Sequence, residues 1–540
     1  MIKKELTGIT ASDKRERFGI KKIKAFIEDE RRHACRVLVL YGLAGTGGAT
    51  LAQQVLGFYK GSAECIAYEV QDTDSMDDIY DMLEEVDRKG TRQIIWLKDI
   101  TRAKDFISES AFLADFFATG KRIIVATGED SFAFELASRD QLFDRMLRTR
   151  MNYIPFTEHY YLTGNRDVGC YVRYGGLLDG KPRITGYESA CHYIECNIAE
   201  NIFRSIQGYK WLEALEGVPL ADLKAFVNAM VSACSGVFAK DQMRELLRQV
   251  AENEGKLVSE ILKFIEDGYI ASIHAEHGFI HRKASKELYS AVRAETGEGR
   301  GFTPIIAEAL EKSLRNLDVI FETEQVDFTK EDGKWEFEQI VTPFHVIQPT
   351  IKYACLQQGR KFVESDEYFN RLPARERGII LAALDNKIEK LVLTGIVLFD
   401  VGKILSEAKS VASVRMNSRR FEVIKPAFYD DGKLVGGYDM LVHDYESRSH
   451  WAFIVSPSFE QACEQEKRFH NEGIASVLES RLGKRQGAAV LYKGDSFINP
   501  AGTIYLNIQD FLLAVEKRCD MEKAFKGLAD TLPMVDHEEE

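Results

Sequence analysis

Residues Val37-Leu38-Val39-Leu40-Tyr41-Gly42-Leu43-Ala44-Gly45-Thr46-Gly47-Gly48-Ala49-Thr50 set an apolar run directly before a glycine-rich turn. Leu51-Ala52-Gln53-Gln54-Val55-Leu56 continue at helical spacing. Strand, tight turn and helix start in that order are the layout of the phosphate-binding P-loop, G-x-x-x-x-G-K-[ST]. Gly42 and Gly47 fill the two glycine positions, whereas Gly48 replaces the phosphate-gripping lysine and Ala49 the magnesium-binding hydroxyl. Gly42, Gly45, Thr46 and Gly47 keep the backbone half of the cradle, which attracts anions through N–H groups and a helix N-terminus. Gly48, Ala49 and Thr50 complete the expected nucleotide-contacting stretch without its charge. A hydrogen bond to a charged group contributes about 1.5–3 kcal/mol. Loss of the lysine is therefore expected to weaken nucleotide binding about 10- to 150-fold. Thr50 carries a hydroxyl one residue late, turned about 100° away on the helix.

Outward from this loop, strand and helix patterns alternate over residues 1–160. Strands are predicted at Arg36–Tyr41, Cys65–Val70, Gln93–Lys98, Arg122–Thr127 and Met151–Phe156. Helical patterns lie near Leu51–Tyr59, Ser75–Val86, Ala103–Phe117 and Ser131–Ala137. Apolar strands in such alternation predict a parallel sheet covered on both faces, with ligands beyond the strands' carboxyl ends. Residues 161–300 read as a helical lid followed by a winged-helix-like module, and Glu295–Gly301 as a linker. Residues 301–405 read as a helical connecting region, 406–525 as a compact α/β domain, and 526–540 as an acidic tail.

The chain has 540 residues, which suggests several domains. Its net charge of -13 disfavours non-specific nucleic-acid binding by the whole surface. The basic run Lys14-Arg15-Glu16-Arg17 reads as a solvated helix face. Nine scattered cysteines without a C-x-x-C pair fit reduced thiols, and no apolar run is long enough to span a membrane. A cytoplasmic protein is the resulting expectation. His274, His277 and His281 have helical metal-ligand spacing, but Gly278 and the β-rich neighbours favour a hairpin wing, so no metal site is expected.

The wider pattern resembles bacterial and archaeal AAA+ type ATP-binding proteins that carry a C-terminal PD-(D/E)xK nuclease-like domain. The first motif of that family looks like G-L-x-x-T-G-K-T-T-L, against Gly42-Leu43-Ala44-Gly45-Thr46-Gly47-Gly48-Ala49-Thr50-Leu51 here. Its Walker B resembles L-D-E-I-T, against Leu97-Lys98-Asp99-Ile100-Thr101. Lys98 thus takes the place of the metal-orienting aspartate, and Asp99 that of the catalytic glutamate. The sensor motif S-G-T-D-S is matched by Thr127-Gly128-Glu129-Asp130-Ser131, which makes Glu129 and Asp130 sensor candidates. Leu142-Phe143-Asp144-Arg145 and Ile154-Pro155-Phe156-Thr157-Glu158 are similar to L-Y-D-R and I-P-F-x-E, with Arg145 the candidate arginine finger. Tyr171-Val172-Arg173-Tyr174-Gly175-Gly176 resembles a glycine-pair motif near the lid.

The resemblance implies an α/β fold: a P-loop NTPase domain of the ASCE/AAA+ type, a helical and winged-helix middle, and a small restriction-endonuclease-like domain. In the last of these, Asp439 matches the first acid, while Phe453 and Val455 replace the Glu and Lys of E-x-K. The function implied is ATP binding with degenerate Walker A and Walker B motifs, without efficient hydrolysis or nuclease activity, in a regulatory or interaction role. ATP is the expected cofactor, with magnesium left open, and a protein partner is expected at the C-terminal domain. Two alternatives stand beside it. One is an active ATPase using Asp99, Thr50 or an arginine such as Arg145 or Arg148 supplied across an oligomer. The other is a DNA-associated scaffold, which the acidic charge counts against. Lys98 also suggests a stand-in cation aimed at the phosphates.

Overall fold

The computed structural model describes residues 2–3, 15–29, 36–87, 92–115, 122–151, 154–175, 177, 187–208, 215–234, 301–317, 319–328, 339–346, 349–365, 367–371, 373–406, 420–430, 433–434 and 437–535. Its first sheet contains β1 (Ile2–Lys3), β2 (Val37–Tyr41), β3 (Glu64–Glu69), β4 (Gln93–Lys98), β5 (Arg122–Gly128) and β6 (Met146–Arg150), in the order β1-β3-β4-β5-β2-β6. β2 to β6 run parallel, and β1 closes one edge antiparallel to β3. Every residue of β2 and β5 is buried, as a sheet with helices on both faces requires. Helices Ile20–Glu28, Gly48–Tyr59, Met76–Asp87 and Ser131–Arg139 supply that cover.

Two local expectations are corrected. The strand predicted at Met151–Phe156 is instead β6, and the next residues lead into helix Phe156–Thr163. β6 is an edge strand with no fully buried residue, and its Arg148 and Arg150 hid it from a search for apolar runs. Met151 N still donates to Tyr41 O at 2.7 Å, one bond beyond the strand. The single helix predicted from Ala103 appears as two short ones, Phe106–Glu109 and Phe112–Asp115.

A helical layer follows. Tyr187–Ile194 and Glu200–Gly208 are joined by a π-turn at Glu195–Ala199 and pack against Leu220–Cys234, Pro304–Asn316 and Pro349–Ser365. Leu43 of the P-loop belongs to the same apolar cluster. The winged-helix module and the three histidines lie outside the described residues.

The second sheet contains β7 (Ile320–Asp327), β8 (Gln339–Val346), β9 (Phe421–Ala427), β12 (Met440–Asp444), β13 (Ser449–Val455), β14 (Lys484–Tyr492), β15 (Phe497–Ile498) and β16 (Ile504–Asn507). A small ribbon, β10 (Tyr429–Asp430) with β11 (Lys433–Leu434), stands apart. The order is β15-β16-β14-β13-β12-β9-β7-β8, so β7 and β8, from the stretch read as helical, extend this sheet. β9, β12 and β13 form an antiparallel meander, and β14 joins β13 in parallel. Alternation splits the sheet's two faces cleanly. Met440, Val442, Trp451, Phe453 and Val455 pack with helices Ala374–Ser406, Ile508–Arg518 and Met521–Ala529. Leu441, Ala452 and Ile454 pack on the other side with Phe459–Glu466 and Glu472–Leu482. Ser458 caps helix Phe459–Glu466, its Oγ accepting from Gln461 N at 3.4 Å, and Asn471 caps helix Glu472–Leu482. Residues 521–535 of the expected acidic tail region and its approach carry a packed helix and a bridge from Met534 to Ile498.

Among the described residues, no helix is long and apolar enough to cross a membrane. Gly483 joins helix Glu472–Leu482 to β14 with φ +81°, and a Cβ there would lie 1.8 Å from Arg448 O. Gly483→Ala is expected to cost about 2–4 kcal/mol through backbone strain and overlap. Urea unfolding followed by the fluorescence of buried Trp451 checks it.

Candidate functional site

β2 delivers the chain to the P-loop at the carboxyl edge of the sheet. Gly45 and Gly47 both adopt left-handed backbone, at φ 85° and 80°, which side-chain-bearing residues rarely tolerate. Gly42 packs so closely on Met151 that a Cβ would sit 2.8 Å from its carbonyl. Helix Gly48–Tyr59 begins directly at the loop, so its first N–H groups have no partner within the helix and aim at the phosphate position.

The loop is held mainly through its carbonyls. Thr46 Oγ1 donates to Leu43 O at 2.7 Å, and Tyr193 Oη of the helical layer donates to Ala44 O at 2.6 Å. Arg17 Nη1 donates to Thr46 O. The same guanidinium pairs through Nε with Glu158 Oε1 at 2.5 Å and through Nη2 with Oε2 at 3.3 Å. Arg17 is 5% exposed and Glu158 4%, so the basic run read as solvated contains a buried arginine. Sequence spacing carried no signal for this pairing; only the similarity of Ile154–Glu158 to a family motif marked one partner.

At the ends of β3, β4 and β5 the charges satisfy one another. Lys98 Nζ pairs with Glu69 and lies 3.6 Å from Asp99 Oδ2. Burial works against its charge, but these two carboxylates raise its pKa overall. Lys98 is therefore engaged along the sheet edge, and the stand-in role suggested for it has no geometric support. Asp99 has left-handed backbone at φ 57°. Glu129 is pushed toward its neutral form by burial and then by the Asp99 charge, against Arg204, Arg102 and Lys98. The two acids thus share one electrostatic neighbourhood. Asp130 serves the backbone instead, since its Oδ1 accepts from Ala133 N at 3.1 Å and caps helix Ser131–Arg139. Arg145 pairs with Asp115 at 2.8 Å, and Arg148 pairs with Glu135. Both lie at the exposed edge of the sheet, beside or within β6.

The second location of interest is Asp439, just before β12. Its Oδ2 accepts from Val455 N at 2.8 Å and lies 3.1 Å from Lys390 Nζ of the long helix. Lys390 Nζ also donates to Gln465 Oε1 at 2.9 Å. Phe453 and Val455, at the E-x-K positions, are fully buried. The Phe453 ring centroid is 5.0 Å from that of Phe511 and 6.2 Å from that of Phe525. Phe453 and Val455 are thus core residues, and the Lys390 ammonium faces Asp439. Among the described residues no group of three or more metal-ligating side chains occurs. Nearby, burial pushes Lys352 down to about 7, helped by the charge of Lys425.

The strand order defines the class of the first domain. Counting β2 as first, the parallel strands run 2-3-4-1-5, the arrangement of AAA+ type P-loop proteins, with the glycine loop after strand one. A second α/β sheet domain follows it. Neither a protein-family model nor a curated protein matches the chain. Three solved structures similar to it are those of the Aeropyrum pernix Orc1 protein in complex with DNA, a DNA replication initiation factor, and a Thermotoga maritima DNA polymerase III gamma subunit-related protein. The first is 10% identical, covers 65% of this chain and 95% of that chain, and has a TM-score of 0.27. The second is 14% identical, with 54% and 94% covered and a TM-score of 0.20. The third is 13% identical, with 55% and 99% covered and a TM-score of 0.20. The fold assignment rests on the strand order and loop rather than on these overlays.

Phe453→Glu is expected to cost about 3–5 kcal/mol by burying an unpaired carboxylate, without restoring metal-dependent cleavage. Thermal unfolding and a plasmid-nicking assay check the two halves. Lys352 offers a pH test. Its folded-state pKa lies below the usual 10.5, so the unfolded chain binds more protons between about pH 7 and 10.5. Its burial cost is complete below that window and disappears as pH rises through it. Lys352→Met should therefore stabilise the protein by about 1–4 kcal/mol near pH 7 and progressively less at higher pH. Denaturant titrations at several pH values read this directly.

Proposed function

We propose that this chain is an AAA+ type nucleotide-binding protein that receives phosphates on backbone donors, hydrolyses them inefficiently at most, and acts as a regulatory or interaction module. The observation that carries this reading is a formed cradle with its chemical side chains absent. Gly45, Gly47 and the helix start at Gly48 keep the anion-receiving backbone. Gly48 and Ala49 supply neither ammonium nor hydroxyl, and Lys98 is committed to Glu69 and Asp99.

Phosphates fit this loop, and magnesium does not. Ala49 removes one metal ligand, while Lys98 puts a cation where the second metal-orienting group would stand. Asp99 lies 3.6 Å from the Lys98 ammonium, which engages it as an ion-pair partner. A hydrolytic step through a metal has no footing in these residues. The C-terminal domain belongs to the same reading. Its nuclease-like positions are filled by the buried Phe453 and Val455 and by the Asp439–Lys390 pair, which argues against phosphodiester cleavage, and a protein-docking role is proposed for the domain instead. The divisions near residues 160 and 300 are part of this proposal, whereas β7, β8 and helix Ala374–Ser406 go with the second sheet and helix Met521–Ala529 crosses residue 525.

Calorimetric titration with ATP, with and without magnesium, is the test. Weak binding insensitive to the metal is expected, and robust magnesium-dependent phosphate release would overturn the reading. A Cβ at Gly48 would meet only Met151 Cγ, at 3.8 Å, so a side chain has room there. Gly48→Lys with Ala49→Thr should tighten ATP binding about 10- to 150-fold, whereas Lys98→Ala should leave affinity unchanged.

A further inference from the structure

Helix Phe156–Thr163 stands between the two sheets, and one buried side chain ties it to the phosphate loop. On the loop side, Arg17 holds Thr46 O, while its own backbone N donates to Gln54 Oε1 at 3.2 Å on the helix that the loop opens. Thr46 sits between two left-handed glycines, so the orientation of its peptide sets where the following N–H groups aim. Glu158 receives Arg17 Nε and Nη2, and also Phe18 N at 2.9 Å.

On the other side, the same helix is built into the second domain. Phe156 N donates to Asp400 Oδ2 at 3.0 Å, and Asp400, on the long helix, is fully buried. Burial raises the pKa of Glu516 on helix Ile508–Arg518, and the neighbouring Thr157 hydroxyl works against that shift. Phe156 shares an apolar cluster with Val401, Phe511 and Val515. A continuous path of hydrogen bonds and packed side chains thus runs from a P-loop carbonyl to the helices on one face of the second sheet.

Stability alone does not require a guanidinium here, because well-packed apolar residues replace buried ion pairs at little cost or with a gain. What an arginine adds is direction: a rigid planar fork that fixes its acceptors relative to one another. The fork thus links the Thr46 peptide to Glu158 and helix Phe156–Thr163. We propose that Arg17 is a positioning residue that couples phosphate occupancy of the loop to the second α/β domain through Glu158. This rests on the nucleotide reading above, and the experiment separates the two.

Amide hydrogen exchange is measured on the full chain with and without saturating ATP, for the wild type, Arg17→Met/Glu158→Met and Arg17→Lys. In the wild type, slowing is expected at residues 42–50, with a change of about fivefold or more at residues 508–518. The paired variant should keep the effect at 42–50 and lose the one at 508–518. Arg17→Lys keeps the charge without the fork and should also reduce the distant response, which serves if the paired variant does not fold. Protection at 42–50 with no change at 508–518 in the wild type overturns the coupling alone. An undiminished distant response in the folded variants does the same. No protection at 42–50, even with Gly48→Lys, overturns the nucleotide reading and the coupling with it.

Discussion

Taking a guanidinium out of water costs several kcal/mol, and Arg17 recovers that cost only because three buried acceptor atoms meet it at once: both Glu158 carboxylate oxygens and the carbonyl of Thr46. The arrangement joins a segment before the first helix, the phosphate loop, and the helix that enters the second domain. Removing either charged partner would strand the other in a dry site. Much of the geometry described above depends on this pair. It holds the loop from its carbonyl side and leaves the N–H groups at the start of helix Gly48–Tyr59 without partners inside the helix. Tyr193 and Thr46 Oγ1 complete the clamp from the helical layer and from the loop itself. A loop so restrained keeps its shape without the lysine that normally grips its ligand.

The two chemical positions of the chain depart from their expected forms in different ways. At the P-loop, side chains are missing but the surrounding backbone is intact, and space remains at Gly48. At Asp439, Phe453 belongs to an aromatic cluster and Lys390 faces the carboxylate. At the first position the backbone turn is formed although no ammonium or hydroxyl stands at Gly48 and Ala49. At the second position a carboxylate in place of Phe453 would be charge buried within packed rings. That difference is why nucleotide binding is proposed for the one location and docking, not catalysis, for the other.

Much of the first sheet was legible because buried parallel strands are continuous apolar runs, as at β2, β4 and β5. β6 was misplaced because an edge strand needs only half its residues apolar, and Arg148 and Arg150 filled the rest. β7 and β8 were missed among helical patterns, since their place in the second sheet depends on pairing β7 with β9 about a hundred residues away. The glycines of the loop could be named from their order, whereas Asp130 as a helix cap, Lys98 as a partner of Glu69, and Arg145 as a partner of Asp115 could not. Those roles depend on which strand ends and helices become neighbours.

The amino-acid order by itself determined that a phosphate-type loop follows the first long strand and that its ammonium and hydroxyl are absent, because glycine spacing and residue identity are local properties. It also determined that Phe453 and Val455 cannot hold a metal. Tertiary structure alone decided where the remaining charges are spent. Arg17 belongs to a run that looks solvated, yet it is buried, because Glu158 arrives beside it from 141 residues away. An ion pair of that separation has no periodicity to betray it; only the folded backbone brings donor and acceptors within reach.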